Sequence, residues 1–97
     1  MTTITHRIIE LTVNNHPGVM SHVTGLFSRR GFNLEGILCS PIGDGARSRM
    51  YLLVKREERI DQITKQLEKL YDVENVSLRD DYDHTLFDRL HDLVKGI

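Results

Sequence analysis

Residues 7–31 read RIIELTVNNHPGVMSHVTGLFSRRG, and this stretch predicts a strand, a turn and a helix in succession. In its first part Ile9, Leu11 and Val13 alternate with polar residues, which is the period of a strand buried on one face. The tripeptide His-Pro-Gly then interrupts the alternation. After it the apolar residues recur at the spacing of an amphipathic helix, and Gly31 is typical of the position just beyond a helix end.

The chain from there to residue 79 predicts three more strands and a second helix. We expect strands at 32–40, 48–55 and 73–79, with a loop from Pro41 onward between the first two. The second helix has an apolar stripe formed by Ile60, Ile63, Leu67 and Leu70. Gly36 interrupts the second strand, where a glycine often marks a bulge or a close approach by another backbone or a ligand. The order βαββαβ is that of a ferredoxin-like α+β domain over residues 7–79, with two helices on one face of an antiparallel sheet.

Residues 84–97 predict a third amphipathic helix beyond that domain. Its apolar stripe consists of Leu86, Phe87, Leu90, Leu93, Val94 and Ile97. The stripe must be covered either by the sheet face that the other helices leave bare or by another protein. We expect the sheet face, because Ile8 and Leu53 would otherwise form an exposed apolar patch there.

Composition restricts the class of protein. The chain has 97 residues, enough for one small domain, and 13 Lys and Arg against 14 Asp and Glu give a net charge of −1. This balance argues against intrinsic disorder and against nucleic acid or a membrane surface as the main partner. A domain this short is only marginally stable as a monomer, so an oligomer is expected. With one cysteine, no signal peptide and no membrane-spanning apolar run, we expect a cytoplasmic protein.

No arrangement of residues predicts catalysis or a cofactor in this chain. There is no nucleophile motif and no phosphate-binding loop, and Cys39 in an apolar strand favours a buried structural thiol. His84, Asp88 and His91 share one helix face, but a solvated face is the preferred interpretation over a metal site. A sheet of this type can bind RNA through aromatic residues on its strands. The predicted strands contain only Phe32 and Tyr51 as aromatic residues, which argues against RNA binding.

The turn before the first helix is the most informative place in the chain. A helix N-terminus presents unpaired backbone N–H groups and a positive dipole, which attract a carboxylate. Gly18 would let a ligand approach that backbone closely. Asn, Pro and Gly also serve an ordinary turn, so the residues alone leave both interpretations open.

Two longer strings carry a resemblance to a known family. They are Asn15-x-Pro17-Gly18-Val19-Met20 and Val23-x-Gly25-Leu26-Phe27-x-Arg29-Arg30-Gly31-Phe32-Asn33-Leu34-Glu35. Together with residues 48–50 and 62–73, they closely resemble the ACT domain of bacterial acetohydroxyacid synthase (acetolactate synthase) small subunits. The short chain and the string Gly36-Ile37-Leu38-Cys39-x-Pro41 resemble the isozyme I type. One departure is His22, where longer family members usually carry a basic residue.

The resemblance implies a non-catalytic regulatory subunit. Its large partner would carry thiamine diphosphate, Mg²⁺ and FAD, and the small subunit would activate that enzyme and confer feedback inhibition by valine. ACT domains of this kind pair side by side as homodimers, with effector pockets between the first turn of one chain and the second strand of the other. One alternative is a free-standing ACT sensor that regulates another enzyme or transcription. A second alternative is a ferredoxin-like dimer with a purely structural role.

The resemblance also assigns residues to the effector pocket. The backbone N–H groups of Gly18, Val19 and Met20 would hold the valine carboxylate. Asn15 and the partner subunit's Asn33 are the candidate amide contacts. The candidate apolar wall consists of Leu34, Ile37 and Cys39.

Overall fold

A four-stranded antiparallel sheet in the order β2-β3-β1-β4 forms the centre of the molecule. The computed structural model describes residues 6–80 and 85–96. Its elements are β1 (His6–Asn14), α1 (Val19–Arg29), β2 (Leu34–Ile42), β3 (Arg47–Lys55), α2 (Ile60–Glu68), β4 (Val73–Arg79) and α3 (Thr85–Lys95). This is the predicted ferredoxin-like βαββαβ fold, followed by a C-terminal helix. None of the described helices has the length and apolar character needed to cross a membrane.

The core lies between one face of the sheet and the helices α1 and α2. The alternation seen in the first strand places Ile9, Leu11 and Val13 in this core, each with no exposed surface. Met50 and Leu52 of the neighbouring strand β3 lie beside them on the same face. The helices contribute the opposing residues, which include Val23, Phe27, Ile63 and Leu67. Full burial of one such aliphatic side chain contributes about 1.5–3 kcal/mol, so this layer supplies most of the stability.

The second strand starts and ends later than predicted. Pro41, expected in a loop, pairs with Ser48 inside β2. Proline is tolerated there because β2 is an edge strand whose outer N–H groups need no partner. At the other end Phe32 precedes the strand, and its ring packs edge-on against Phe27 at 6.1 Å between centroids. The register shift between Leu34 and Gly36 is the bulge that the glycine predicted.

Cys39 is exposed, and the expectation of a buried thiol was wrong. Its partner in the ladder is Met50, which is fully buried on the neighbouring strand β3. The difference arises because β2 is the outermost strand, beyond the part of the sheet that the helices cover well. Leu34 and Ile37 on the same strand are likewise only partly buried.

Helix α3 lies on the opposite face of the sheet, as the analysis of its apolar stripe expected. Gly36, Leu53 and Ile8 are in register on neighbouring strands. Ile8 and Leu53 do not belong to the core beneath α1 and α2, yet both are buried, because α3 covers this second face of the sheet. The Phe87 ring rests on Gly36 so closely that a Cβ there would lie 2.5 Å from a ring carbon. The last part of the stripe is not covered, since Val94 is 73% exposed. Ile97 lies outside the described residues.

Phe87→Ala should weaken the packing of α3 on the sheet and expose Ile8 and Leu53 beneath it. A fully buried Phe→Ala change costs about 3–5 kcal/mol, and the half-buried Phe87 should cost about 1–2 kcal/mol in the free energy of unfolding. Urea unfolding measures this change, and binding of a hydrophobic dye reports exposure of Ile8 and Leu53. The control is Val94→Ala, a truncation of an exposed residue on the same helix. Equal stability of the two variants would contradict the role of Phe87.

Candidate effector site at the first strand–helix turn

Gly18 caps α1 in a conformation that favours glycine. Its φ of 95° lies in the left-handed region, where a side chain introduces strain. A Cβ added at this position would meet no atom within 4 Å. Glycine is therefore required by the backbone and not by crowding, and the space beside the turn is open to a ligand.

The first turn of α1 presents several free donors. Among the described residues, no acceptor is found for the backbone N–H groups of Gly18, Met20 and Ser21. The Val19 N–H, predicted to bind the ligand, already donates to the His16 carbonyl at 3.3 Å. The Ser21 N–H is a further free donor that was not predicted. The first turn holds no acidic side chain that would occupy these donors. The arrangement can accept an anion such as a carboxylate.

Asn15 braces the turn against the loop between β2 and β3. Its side-chain amide donates to the Gly45 carbonyl at 2.7 Å, and its backbone N–H donates to the Ala46 carbonyl at 3.0 Å. Both contacts tie the residue before the turn to the sheet. The amide nitrogen of Asn15 is thus engaged, which leaves its amide oxygen as the group available to a ligand.

The predicted pocket residues do not all meet within one chain. Asn33 precedes β2, beyond the C-terminal end of α1, whereas Gly18 caps the N-terminal end. The 11 residues of α1 span about 16 Å, so the two residues are too far apart to bind one small amino acid. The Asn33 amide instead donates to the Glu35 carboxylate.

The residues predicted as apolar wall differ in exposure. Leu34 and Ile37 pack against the core and are only partly exposed. Cys39 is exposed and lines a shallow cavity of about 290 Å³ together with Leu38, Ser40, Ile42, Arg49 and Tyr51. The Nε atom of Arg49 is buried there without a hydrogen-bond partner among the described residues.

Asp72 is the functional candidate that sequence reasoning missed. Its side chain is 8% exposed, and its two oxygens accept from His16 Nε2 at 2.7 Å and from His22 Nδ1 at 3.3 Å. Its carbonyl accepts the Asn14 N–H at 2.8 Å. His22 on α1 thus contacts the same carboxylate as His16. The one signal in the sequence was an acidic residue directly before the fourth strand.

These contacts shift the pKa values of His16 and Asp72. The hydrogen bond to Asp72, followed by the one to the Pro17 carbonyl, raises the pKa of His16 above its ordinary value of 6.5. The hydrogen bond from His16 holds the pKa of Asp72 below its ordinary value of 3.8. Both shifts favour the imidazolium–carboxylate form of the pair.

Other candidate sites lie away from this turn. A cavity of about 380 Å³ sits near the opposite end of α1, where Arg30, Arg59, Lys65 and Lys69 line it. Of the residues considered for a metal, His84 lies outside the described residues, and Asp88 and His91 are exposed on α3.

Comparison with known proteins identifies close relatives. Residues 9–75 match a family model described as AHAS small subunit-like ACT domain. The chain is 52% identical over 89 residues to the acetolactate synthase isozyme 1 small subunit of Escherichia coli (strain K12), covering 92% of each chain. It is 43% identical to the isozyme 3 small subunit of that strain over 73% of this chain and 44% of the relative. The crystal structure of the acetolactate synthase small subunit from Thermotoga maritima superposes with a TM-score of 0.72 at 38% identity, covering 80% of this chain and 49% of that one.

Asp72→Asn should reduce stability most between pH 3.8 and pH 6.5. The contribution of His16 is complete below its ordinary value of 6.5 and is lost as the pH rises through its raised pKa. The contribution of Asp72 is complete above its ordinary value of 3.8 and is lost as the pH falls through its lowered pKa. Urea unfolding from about pH 3 to about pH 9, at one protein concentration, measures the difference between wild type and variant.

Glu58→Gln is the matched control, because it makes the same chemical change at an exposed residue. Its unfolding curves should run parallel to those of the wild type throughout. A constant difference between Asp72→Asn and wild type across the whole pH range would contradict the ion pair.

Proposed function

The chain belongs to the family of AHAS small subunit-like ACT domains, and on this premise we propose that it activates the thiamine-diphosphate catalytic subunit of acetolactate synthase and confers feedback inhibition by valine. The observation that carries the proposal is the similarity to an isozyme 1 small subunit over nearly the whole of both chains. The open helix N-terminus at Gly18 supplies a place for the carboxylate of the effector.

The catalytic subunit supplies the chemistry in this proposal. It holds thiamine diphosphate, Mg²⁺ and FAD and joins two pyruvates, or pyruvate and 2-oxobutyrate, in branched-chain amino-acid biosynthesis. The small subunit contributes no catalytic residue and no cofactor ligand. Its role is to shift the catalytic subunit between a more active and a less active state, which requires that valine bind those states with different affinity.

The valine pocket is built from two copies of the chain. The carboxylate lies on the N–H groups of Gly18, Val19 and Met20, next to the amide of Asn15. The partner subunit's Asn33 contacts the same ligand, because Asn33 and Gly18 of one chain are separated by the length of α1. The apolar wall comes from β2, with Leu34, Ile37 and Cys39 as its candidates.

The size of valine limits the strength of this binding. Valine has eight heavy atoms, so about 12 kcal/mol is an upper bound and much less is expected. Affinity on the order of micromolar to millimolar follows, which suits the sensing of a metabolite pool. Copurification with a thiamine-dependent enzyme from the native cell tests the assignment most directly. A chain that copurifies with another enzyme or with a transcription factor would instead be a free-standing ACT sensor.

Gly18→Asp should leave the reconstituted holoenzyme active but largely insensitive to valine. The new carboxylate would lie where the effector carboxylate binds, so repulsion and occlusion both oppose the ligand. The measurement is a valine titration of holoenzyme rebuilt with the variant subunit. Gly18→Ala is the matched control, because it introduces the same backbone strain at φ 95° without a charge.

The control separates strain from charge. Gly18→Ala should retain more valine sensitivity than Gly18→Asp, while both variants still activate the catalytic subunit. Inhibition of the Gly18→Asp holoenzyme at the wild-type valine concentration would contradict the assignment of the carboxylate site.

A mixture of Asn33→Ala and Gly18→Asp chains should recover valine inhibition that neither variant shows alone. In the heterodimer one junction combines an intact turn with an intact Asn33, and the other junction carries both lesions. Half-maximal inhibition is measured after heterodimers have been isolated with two affinity tags. Heterodimers without any valine response would indicate that the pocket lies within a single chain.

A further inference from the structure

We propose that Asp72 and His16 form a positioning pair that holds the Pro17–Gly18 turn ready for the effector carboxylate, so that effector sensitivity falls when His16 loses its proton. This inference rests on the proposed function, since it concerns the same turn. Neither residue was assigned to the effector pocket, and the pair acts through the backbone of Gly18 without itself contacting the ligand.

Both ring nitrogens of His16 face acceptors. Nε2 lies 2.7 Å from the Asp72 carboxylate, and Nδ1 lies 2.5 Å from the Pro17 carbonyl oxygen. A neutral imidazole carries one N–H and can satisfy only one of these acceptors, whereas an imidazolium donates to both. Two acceptors at hydrogen-bond distance fit the protonated ring, and deprotonation would leave one of them without a donor.

The bond to Pro17 controls the direction of a ligand-binding group. The carbonyl of Pro17 and the N–H of Gly18 belong to one planar trans peptide, so they point in opposite directions. When His16 holds the carbonyl, the Gly18 N–H points away from the ring, and no atom lies within 4 Å of the position that a Gly18 Cβ would occupy. Release of the carbonyl frees this peptide to rotate, which Gly18 permits more easily than any other residue.

The charges around His16 act in the same direction. The nine-tenths buried Asp72 is the acidic group that faces it, and His22 on α1 approaches the same carboxylate with its ring centroid 6.3 Å from that of His16. The nearby strand ends contribute Arg47 and Glu74, which pair with each other at 2.7 Å. Loss of the His16 proton leaves the Asp72 charge less compensated, which disfavours a second carboxylate beside it.

The Asp72 anchor is itself fixed to the sheet. Its carbonyl accepts the Asn14 N–H at 2.8 Å, and the next residue, Val73, begins β4. The carboxylate thus approaches the turn from the start of β4, where the Asp72 carbonyl is hydrogen-bonded to the end of β1. Asp72 contacts the turn through His16, and its charge lies beside the site. A change at Asp72 therefore acts on the ligand without a direct contact, which is the property expected of a positioning residue.

The test is a valine titration of reconstituted holoenzyme from about pH 6 to about pH 9. With the wild-type subunit, the valine concentration for half inhibition should rise by roughly threefold to tenfold across this range, the effect of about one hydrogen bond. With His16→Gln it should be raised already at low pH and should change little with pH. His91→Gln, on the exposed surface of α3, is the matched control and should follow the wild type.

A second measurement is independent of the catalytic subunit. Nitrogen-detected NMR of the isolated small subunit follows the titration of His16 and shows whether both ring nitrogens are protonated at low pH. In the wild type the ring should keep its proton above pH 6.5, and Asp72→Asn should lower that pKa.

The outcomes separate the two proposals. Valine inhibition with the same pH profile in wild type and His16→Gln would overturn the positioning pair and leave the proposed function standing. An unchanged His16 titration in Asp72→Asn would overturn the pair as well. A wild-type holoenzyme that valine does not inhibit at any pH would contradict the proposed function itself.

Discussion

The pairing of β1 with strands on both sides is the constraint on which the rest of the structure depends. β1 lies between β3 and β4, and Ile9 is in register with Leu52 on one side and Leu78 on the other. Its inward residues form the centre of the core, and its outward Ile8 lies in the row where α3 packs. Because β4 must start where β1 ends, Asp72 is brought to the turn that follows β1.

In the proposed function, the two ends of α1 belong to two different effector pockets. The N-terminal end presents free N–H groups without a competing acidic side chain, and the C-terminal end leads to Asn33 and the edge strand β2. An edge strand with partly exposed apolar residues is suited to meet a second copy of the sheet. Dimerisation would therefore complete the pocket and cover the exposed side of β2 at once.

Local patterns were sufficient to predict most of the fold. The alternation from Ile9 to Val13 specified β1, and the helical spacing after Val19, with the glycines at 18 and 31, specified α1, because each is a property of neighbouring residues. The bulge at Gly36 was predicted for the same reason. The turn at Gly18 was also predicted to be a ligand site, and the choice between a ligand site and an ordinary turn depended on the family resemblance. The boundaries of β2 and the burial of Cys39 were wrong because they depend on which strand lies at the edge of the sheet.

The sequence by itself determined which segments become strands and helices, which face of each is apolar, and where a helix N-terminus is open to an anion. The tertiary structure decided that Cys39 is exposed, that Phe87 rests on Gly36, and that Asp72 meets His16 across 56 positions of chain. Periodicity is a local property and carries no information on sheet order. Asp72 meets His16 only because β4 lies beside β1. That placement brings the end of the α2–β4 connection, which holds Asp72, against the start of the β1–α1 turn, which holds His16.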